Sequence, residues 1–264
     1  MTDYYSLPGI SATALKAGSK SMLAMHWRMT GDGPADTPAM RMGRLIHKCI
    51  LEPDLFCTDV VVWEGAKRGK AWTEFKSEHE GRDIVTQEEH KDLLLLSNRV
   101  HANPTAHRLI EQTEHERVLT WTDEVYGDAK ARLDGIANNA LPDIKSTSII
   151  EPRRFMAHAY RMGYLLQLGW YRHGARQNGY AVDDAWIVAA QQKDEQDVAV
   201  YHISGKLLDD AYDEARKLAV EYRCCQASGS FPGVAAEVVE FQVPAWATAG
   251  ESVELQIGGE TMEV

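Results

Sequence analysis

The stretch AKARLDGIANNALPDIKST, residues 129–147, decides how this chain is read. Residues 129–137 and 142–147 each read as a short strand. Asn138-Asn139-Ala140 between them reads as a turn, because asparagine tolerates the left-handed backbone that tight turns need. Side chains two apart on a strand share a face. Asp143 and Lys145 therefore point the same way, and so do Arg132 and Asp134. Paired as a hairpin, the two strands bring Asp134 and Asp143 together near its open side.

Two carboxylates beside an ammonium group have a defined chemical use. Hard oxygen ligands suit Mg²⁺ or Mn²⁺, which keep several waters and accept phosphate oxygens. Such an ion lowers the pKa of a water and offsets charge on a phosphorane. Lys145 is placed to orient that water or to stabilise the transition state. A bare D-x-K also occurs on ordinary solvated strand faces, so the surrounding sequence has to decide.

Working outward, RVLTWT (117–122) reads as a strand before the motif, with Tyr126-Gly127-Asp128 as a turn. A helix is predicted from Pro152 to Arg176, then strands at 185–191 and 198–203, then a helix from Gly205 to Gln226. Towards the N-terminus, helices are predicted over 11–29 with Ser11 as N-cap, over 39–52 up to Pro53, and over 87–111. A loop is expected at 30–38, and strand character at DVVVW within 54–63. Residues 64–83 are expected to be a mobile connection or a short helix. The order implies an α/β fold, a central mixed β-sheet flanked by helices with an N-terminal helical lobe. It is read as one domain over 1–264: a mainly helical lobe (1–111), a core (112–236) and a β-like tail (237–264). On the 152–176 helix, Tyr160, Tyr164, Gln167 and Tyr171 fall on one face, with Tyr160 and Tyr164 read as packing or groove-wall residues.

Hydrophobic residues make up 44% and charged residues 25% of the chain, as in ordinary globular proteins. No apolar run approaches the roughly 18–20 residues of a membrane span, and the N-terminus lacks the pattern of a secretory signal, so a cytoplasmic protein is expected. Cys49, Cys57, Cys224 and Cys225 offer no disulfide framework and read as reduced thiols. The net charge of −11 argues against a nucleic-acid partner. Its distribution softens that objection, because residues 1–50 hold six Lys and Arg against three Asp. An acidic body with a basic mouth can still hold a phosphate backbone, especially with divalent cations at the site.

The ordered set of His47 in GRLIHKCILEPDLF, then KRGKAWTEFKSEHEGRDIVTQEE, ERVLTWTDEVYGDAKARLDGI, PDIKSTS and GYLLQLGWYRHG resembles the RecB-like branch of the PD-(D/E)XK nucleases. More narrowly it resembles the phage and prophage exonucleases related to RecE, the exodeoxyribonuclease VIII family. The resemblance covers roughly residues 40–175. It implies that His47, Asp134, Asp143 and the carbonyl of Ile144 hold metal, Mg²⁺ or Mn²⁺. It implies that Lys145 is the catalytic lysine, and that Gln167 and Tyr171 position the scissile strand or that lysine. Glu116 corresponds loosely to an acidic residue at the edge of the site. The family's second acidic position is often Glu, and here it is Asp143. Some relatives hold an iron–sulfur cluster on four cysteines, three of them near the C-terminus. Here Cys224-Cys225 has no third partner nearby, so no cluster is expected.

The resemblance further implies 5′ to 3′ degradation of one strand of linear duplex DNA, leaving 3′ single-stranded tails for annealing. It also implies a ring-shaped homo-oligomer and a RecT-type annealing protein as partner, in a bacterial host cell that carries the phage or prophage. Arg41 and Arg44 are candidates for a terminal phosphate. Lys67, Arg68 and Lys70 are candidates for backbone phosphates, and Trp72 with Phe75 for stacking on DNA ends. The same residues could serve as solvated charges and anchors for that segment. Two other readings stay open: a structure-specific or single-strand endonuclease on the same core, and a non-catalytic DNA-binding recombination protein.

Overall fold

Capping residues set most of the helix boundaries in the computed structural model, which describes residues 4–31 and 37–243 and the backbone of strands at 254–257 and 260–263. Helix α1 (Ala12–Gly18) starts at Ser11, whose hydroxyl accepts the Ala14 N–H. Ser21 does the same for Ala24 at the head of α2 (Met22–Thr30), so the single helix expected over 11–29 is two. Thr37 caps α3 (Pro38–Leu51). Helix α3 stops before Pro53 as expected, and Pro53 opens a new helix, α4 (Pro53–Asp59), because proline suits a first helical turn. Strand β1 (Val60–Trp63) follows, then α5 (Gly69–Glu78), the helical alternative expected for 64–83. After β2 (Asp83–Thr86), the expected 87–111 helix divides into α6 (Gln87–Ala102) and α7 (Pro104–Glu111). Pro104 cannot continue α6, and the Asn103 side chain caps α7.

The motif region forms β3 (Glu114–Asp123), β4 (Gly127–Ile136) and β5 (Pro142–Thr147). It is followed by α8 (Pro152–Arg161), α9 (Tyr164–Gln177), β6 (Ala185–Gln191), β7 (Val198–Ile203) and α10 (Gly205–Ser228). The helix expected over 152–176 breaks at Gly163, whose φ of 66° is left-handed. Tyr160 is therefore on α8, and only Tyr164, Gln167 and Tyr171 share α9. Of the expected tail, β8 (Glu254–Ile257) and β9 (Glu260–Glu263) pair antiparallel. Residues 244–253 of it, and 32–36 of the expected loop, lie outside the described residues.

Strand β4 does not pair with β5 as a hairpin. It pairs antiparallel with β3, while β5 runs parallel to β6, which is antiparallel to β7. β1 and β2 form a separate parallel pair. A bridge between Ala137 and Ala140 and one side-chain bond, described below, tie β4 to β5. The mixed α/β architecture is thus built of small sheets rather than one continuous sheet.

Strand β6 is apolar on both faces, as a strand between two layers must be. Ile187 and Ala189 face a core formed with α1, α2, α8, α9 and α10. Val188 and Ala190 face a second core formed by α3, α4, α6 and α7. On β5, Ile144 packs into the second core, so Asp143 and Lys145 turn the other way. On β4, Ala129, Ala131 and Leu133 are buried, leaving Lys130, Arg132 and Asp134 on the opposite, half-exposed face. These alternations decide where the polar residues converge. All four cysteines are free thiols.

Candidate active site

The residues singled out in the sequence meet where β4 and β5 run side by side. Asp134 Oδ2 accepts the Ile144 N–H at 2.7 Å, so a side chain takes the place of a ladder bond between the strands. Gly135 permits this approach, since a Cβ there would lie 2.8 Å from Pro142 Cγ. Asp134 Oδ1 lies 3.4 Å from Nδ1 of His47, presented by α3. On β5, Lys145 Nζ is 2.5 Å from Asp143 Oδ2. From α9, Gln167 Nε2 donates to Asp143 Oδ1 at 3.0 Å. Tyr171, one turn further along α9, is half-buried.

Glu116 lies on β3 directly across from Asp134. The ladder pairs His115 with Gly135 and Arg117 with Leu133 but skips the position between them. Its φ of 49° is unusual for a residue with a side chain. Nitrogen or oxygen atoms of His47, Glu116 and Asp134 all lie within 4.8 Å of one another. One imidazole and two carboxylates are a donor set that could hold a divalent cation. Asp143 stands outside this trio, engaged by Lys145 and Gln167, and Ile144 contributes its N–H to Asp134.

Charge within the site is strongly coupled. Burial alone would raise the Asp134 carboxyl, but His47 beside it, helped by Lys145 and the Ile144 N–H, holds it down at about 2. Burial would likewise discharge Lys145, yet Asp143 and Asp134 raise its pKa and keep it an ammonium. Asp143 is raised, chiefly by burial, with Lys145 opposing and Asp134 adding to the rise. Burial, then the Asp134 charge, raises Glu116. Burial, then Asp143, drives the Tyr171 phenol well above its ordinary range, so it stays protonated.

Sequence reasoning missed Lys16. It comes from α1, 151 residues from its partner, and donates to Gln167 Oε1 at 2.5 Å. Its ammonium and that of Lys145 lie 5.2 and 5.0 Å from the centroid of the Tyr164 ring, so Tyr164 is a wall of the site. Burial, then the nearby Lys145, lowers Lys16 to about 7. No local pattern in α1 marks this lysine; only the tertiary packing of α1 on α9 does.

A basic groove of about 860 Å³ has Arg28, Arg44, Lys130, Arg132, Tyr4 and Tyr5 on its walls, and its Arg132 reaches the site by pairing with Glu116 at 3.2 Å. It adjoins a second recess of about 590 Å³ carrying Lys16, Lys20, Arg161, Trp27 and Tyr160. Arg28 and Met40 line both. Arg44 is thus the only one of the seven DNA-contact candidates from the sequence that lines either recess. Arg41 donates to the Ile84 carbonyl and pairs with Glu89 at 3.6 Å. Lys67 pairs with Glu89 and Lys70 with Glu74, each at 3.5 Å. Trp72 rests on Trp63, and Arg68 is exposed at the start of α5.

The α/β layering and this Asp, D-x-K and Gln constellation define a PD-(D/E)XK-type domain. The model of a family described as a PDDEXK-like domain of unknown function (DUF3799) matches residues 11–241, and the chain belongs to that family. Among curated proteins, no sequence matches. A solved structure of a candidate exonuclease from Eubacterium rectale is similar at 14% identity and a TM-score of 0.52, covering 94% of this chain and 97% of that one. A phage-related exonuclease from Haemophilus somnus aligns at 14% identity and a TM-score of 0.40, covering 84% and 96%. At this identity the first likeness concerns the fold. Among the described residues, no helix is long and apolar enough to cross a membrane.

Proposed function

We propose that this protein is a divalent-metal-dependent exonuclease on linear double-stranded DNA, degrading 5′ to 3′ and leaving 3′ single-stranded tails for annealing. The observation that carries the reading is the meeting of Asp134, Asp143 and Lys145 with His47, Glu116 and Gln167 beside a groove lined by four cations. His47, Glu116 and Asp134 would hold the cation. When bound, Mg²⁺ or Mn²⁺ supplies Lewis acidity toward phosphate and eases deprotonation of a water.

The protein's own groups do the rest. Lys145 remains charged and brings an ammonium to where negative charge develops on phosphate. Asp143 fixes that ammonium, and Gln167 fixes Asp143. Asp134 remains anionic at neutral pH and orients the His47 ring. The cations of the groove hold the sugar–phosphate backbone. The resemblance to RecE-like exonucleases supports the polarity, a ring-shaped homo-oligomer and a RecT-type annealing partner. A ring would spread many weak backbone contacts around the duplex, which suits an acidic protein.

The test is digestion of linear duplex labelled at the 5′ or 3′ end, with Mg²⁺ or EDTA, beside closed circular DNA and Lys145→Ala protein. Early release of 5′ label is expected, abolished by EDTA, absent on circles and reduced at least 100-fold in the variant, a loss typical of removing transition-state charge stabilisation. Cleavage of circles would make the protein an endonuclease. Intact DNA under every condition, Mn²⁺ included, would make it a binding protein.

A further inference from the structure

We propose that Lys16 is a positioning residue that sets the orientation of Gln167 and, through it, the aim of the Asp143 carboxylate; the inference rests on the nuclease reading of this site. The contacts form one chain. Lys16 Nζ donates to Gln167 Oε1 at 2.5 Å. Gln167 Nε2 donates to Asp143 Oδ1 at 3.0 Å. Asp143 Oδ2 meets Lys145 Nζ at 2.5 Å.

A glutamine amide has two ends of opposite character and nearly equal shape, and a half-turn exchanges them. Turned the wrong way, Gln167 would set its oxygen against Asp143 Oδ1, two acceptors facing each other in a buried place. An amine on the far side removes that choice, since its N–H groups demand the amide oxygen. As –NH₃⁺ Lys16 is a donor without an acceptor and fixes this orientation; as –NH₂ it keeps N–H groups but gains a lone pair, so the constraint is strongest in the charged form. With Gln167 fixed, one oxygen of Asp143 is committed and the other faces Lys145.

Lys16 is itself held in place. A Cβ built on Gly163 would lie 3.2 Å from Lys16 Cγ, so the lysine stem lies across the glycine that precedes α9. Its ammonium sits over Tyr164. Three contacts with the start of α9 make this a built position rather than a surface lysine that has folded inward. A small misplacement of an active-site group can cost up to about 100-fold in rate, so loss of a positioning bond here is expected to matter on the order of tenfold.

The experiment compares wild type, Lys16→Met, Lys16→Arg, Gln167→Ala and the Lys16→Met/Gln167→Ala double variant. It reads kcat and KM on linear duplex with Mg²⁺, and the side-chain amide signals of Gln167 in ¹⁵N-glutamine-labelled protein without metal. Thermal melting checks folding; if Lys16→Met does not melt like wild type, Lys16→Gln replaces it. The expected result is a kcat about tenfold lower in Lys16→Met, with KM within about twofold. The double variant should be no slower than the slower single one, because both act on one path. Lys16→Arg, also a pure donor, should recover most of the rate. The Gln167 amide signals should shift or broaden in Lys16→Met and return in Lys16→Arg.

Multiplying losses in the double variant, a change in KM alone, or unmoved Gln167 signals would each overturn the proposal. Multiplying losses would instead make Lys16 a direct phosphate contact. If wild type cleaves no DNA, the proposed activity fails, while the amide signals still decide the orienting role.

Discussion

Glu116 combines two observations that belong together. Its backbone sits at φ 49°, and its carboxylate reaches the neighbourhood of His47 and Asp134. A non-glycine residue in the left-handed region costs about 1–3 kcal/mol and persists where the surroundings impose it. A strand in regular geometry would carry Glu116 past Asp134 as one more ladder residue; the local kink replaces that pairing. Glu116→Gly should separate the two effects. Glycine relieves the strain but adds chain entropy to the unfolded state, so stability is expected to equal wild type or exceed it by up to about 1 kcal/mol. Mn²⁺ affinity should nevertheless fall by about tenfold or more as a ligand is lost. Urea unfolding and electron paramagnetic resonance titration with Mn²⁺ measure the two quantities. A clear loss of stability with unchanged Mn²⁺ affinity would leave Glu116 a structural residue and return the acidic ligand role to Asp143.

Among the elements, α10 shows how the layers are tied together away from the site. Its own N-cap, Ser204, makes no side-chain cap bond, and Asp184 supplies the acceptor from the start of β6. Asp184 Oδ1 accepts the Gly205 N–H at 2.7 Å, and Oδ2 meets His202 Nε2 at 2.8 Å. The bond to His202 holds Asp184 below its ordinary pKa of 3.8 against the opposing effect of burial, with a smaller lowering contribution from the Gly205 N–H. A carboxylate lowered in the folded state stabilises fully above its unfolded pKa and loses that contribution as pH falls through the folded value. Asp184→Ala should therefore cost about 1 kcal/mol near neutral pH, the usual worth of a cap. The difference from wild type should close below about pH 4. Melting curves from pH 7 to pH 3 test this, and an undiminished difference at pH 3 would assign the effect to packing instead.

The same scale shows why some of the site was legible in the sequence and some was not. Strands β4 and β5 are separated by an Asn-Asn turn, and the D-x-K spacing of β5 fixes that Asp143 and Lys145 share a face. The helix over 152–176 looked continuous because its polar spacing is helical on both sides of Gly163, and one glycine in a helical pattern does not dictate a break. Placing Lys16 against Gln167 needs α1 docked on α9, which no spacing within either helix reveals. Pairing β4 with β3 rather than β5 also lay beyond local reading, because the Asp134 bond to Ile144 N–H does the work of a ladder.

For the molecule as a whole, a net charge of −11 has to be reconciled with a polyanionic substrate. The reconciliation lies in where the cations stand. Those of the 64–70 segment include Lys67 and Lys70, which face nearby glutamates, so their field is partly cancelled at short range. Arg28 lines both recesses beside the site, among Arg44, Lys130 and Lys16, while Arg132 there pairs with Glu116 at 3.2 Å. A cation that meets a DNA phosphate releases a condensed counterion, and each such contact adds roughly 0.9 to the slope of log affinity against log salt concentration. Arg28→Ala should thus weaken duplex binding several-fold near 0.1 M salt and reduce that slope by about 1. Lys67→Ala should leave both almost unchanged. Fluorescence anisotropy on a labelled duplex, with Ca²⁺ in place of Mg²⁺ to hold back cleavage, gives the slopes directly. A reduced slope for Lys67→Ala with an unchanged one for Arg28→Ala would move the DNA path onto α5 and the segment before it. It would also mean that the −11 body is screened there by something other than the groove.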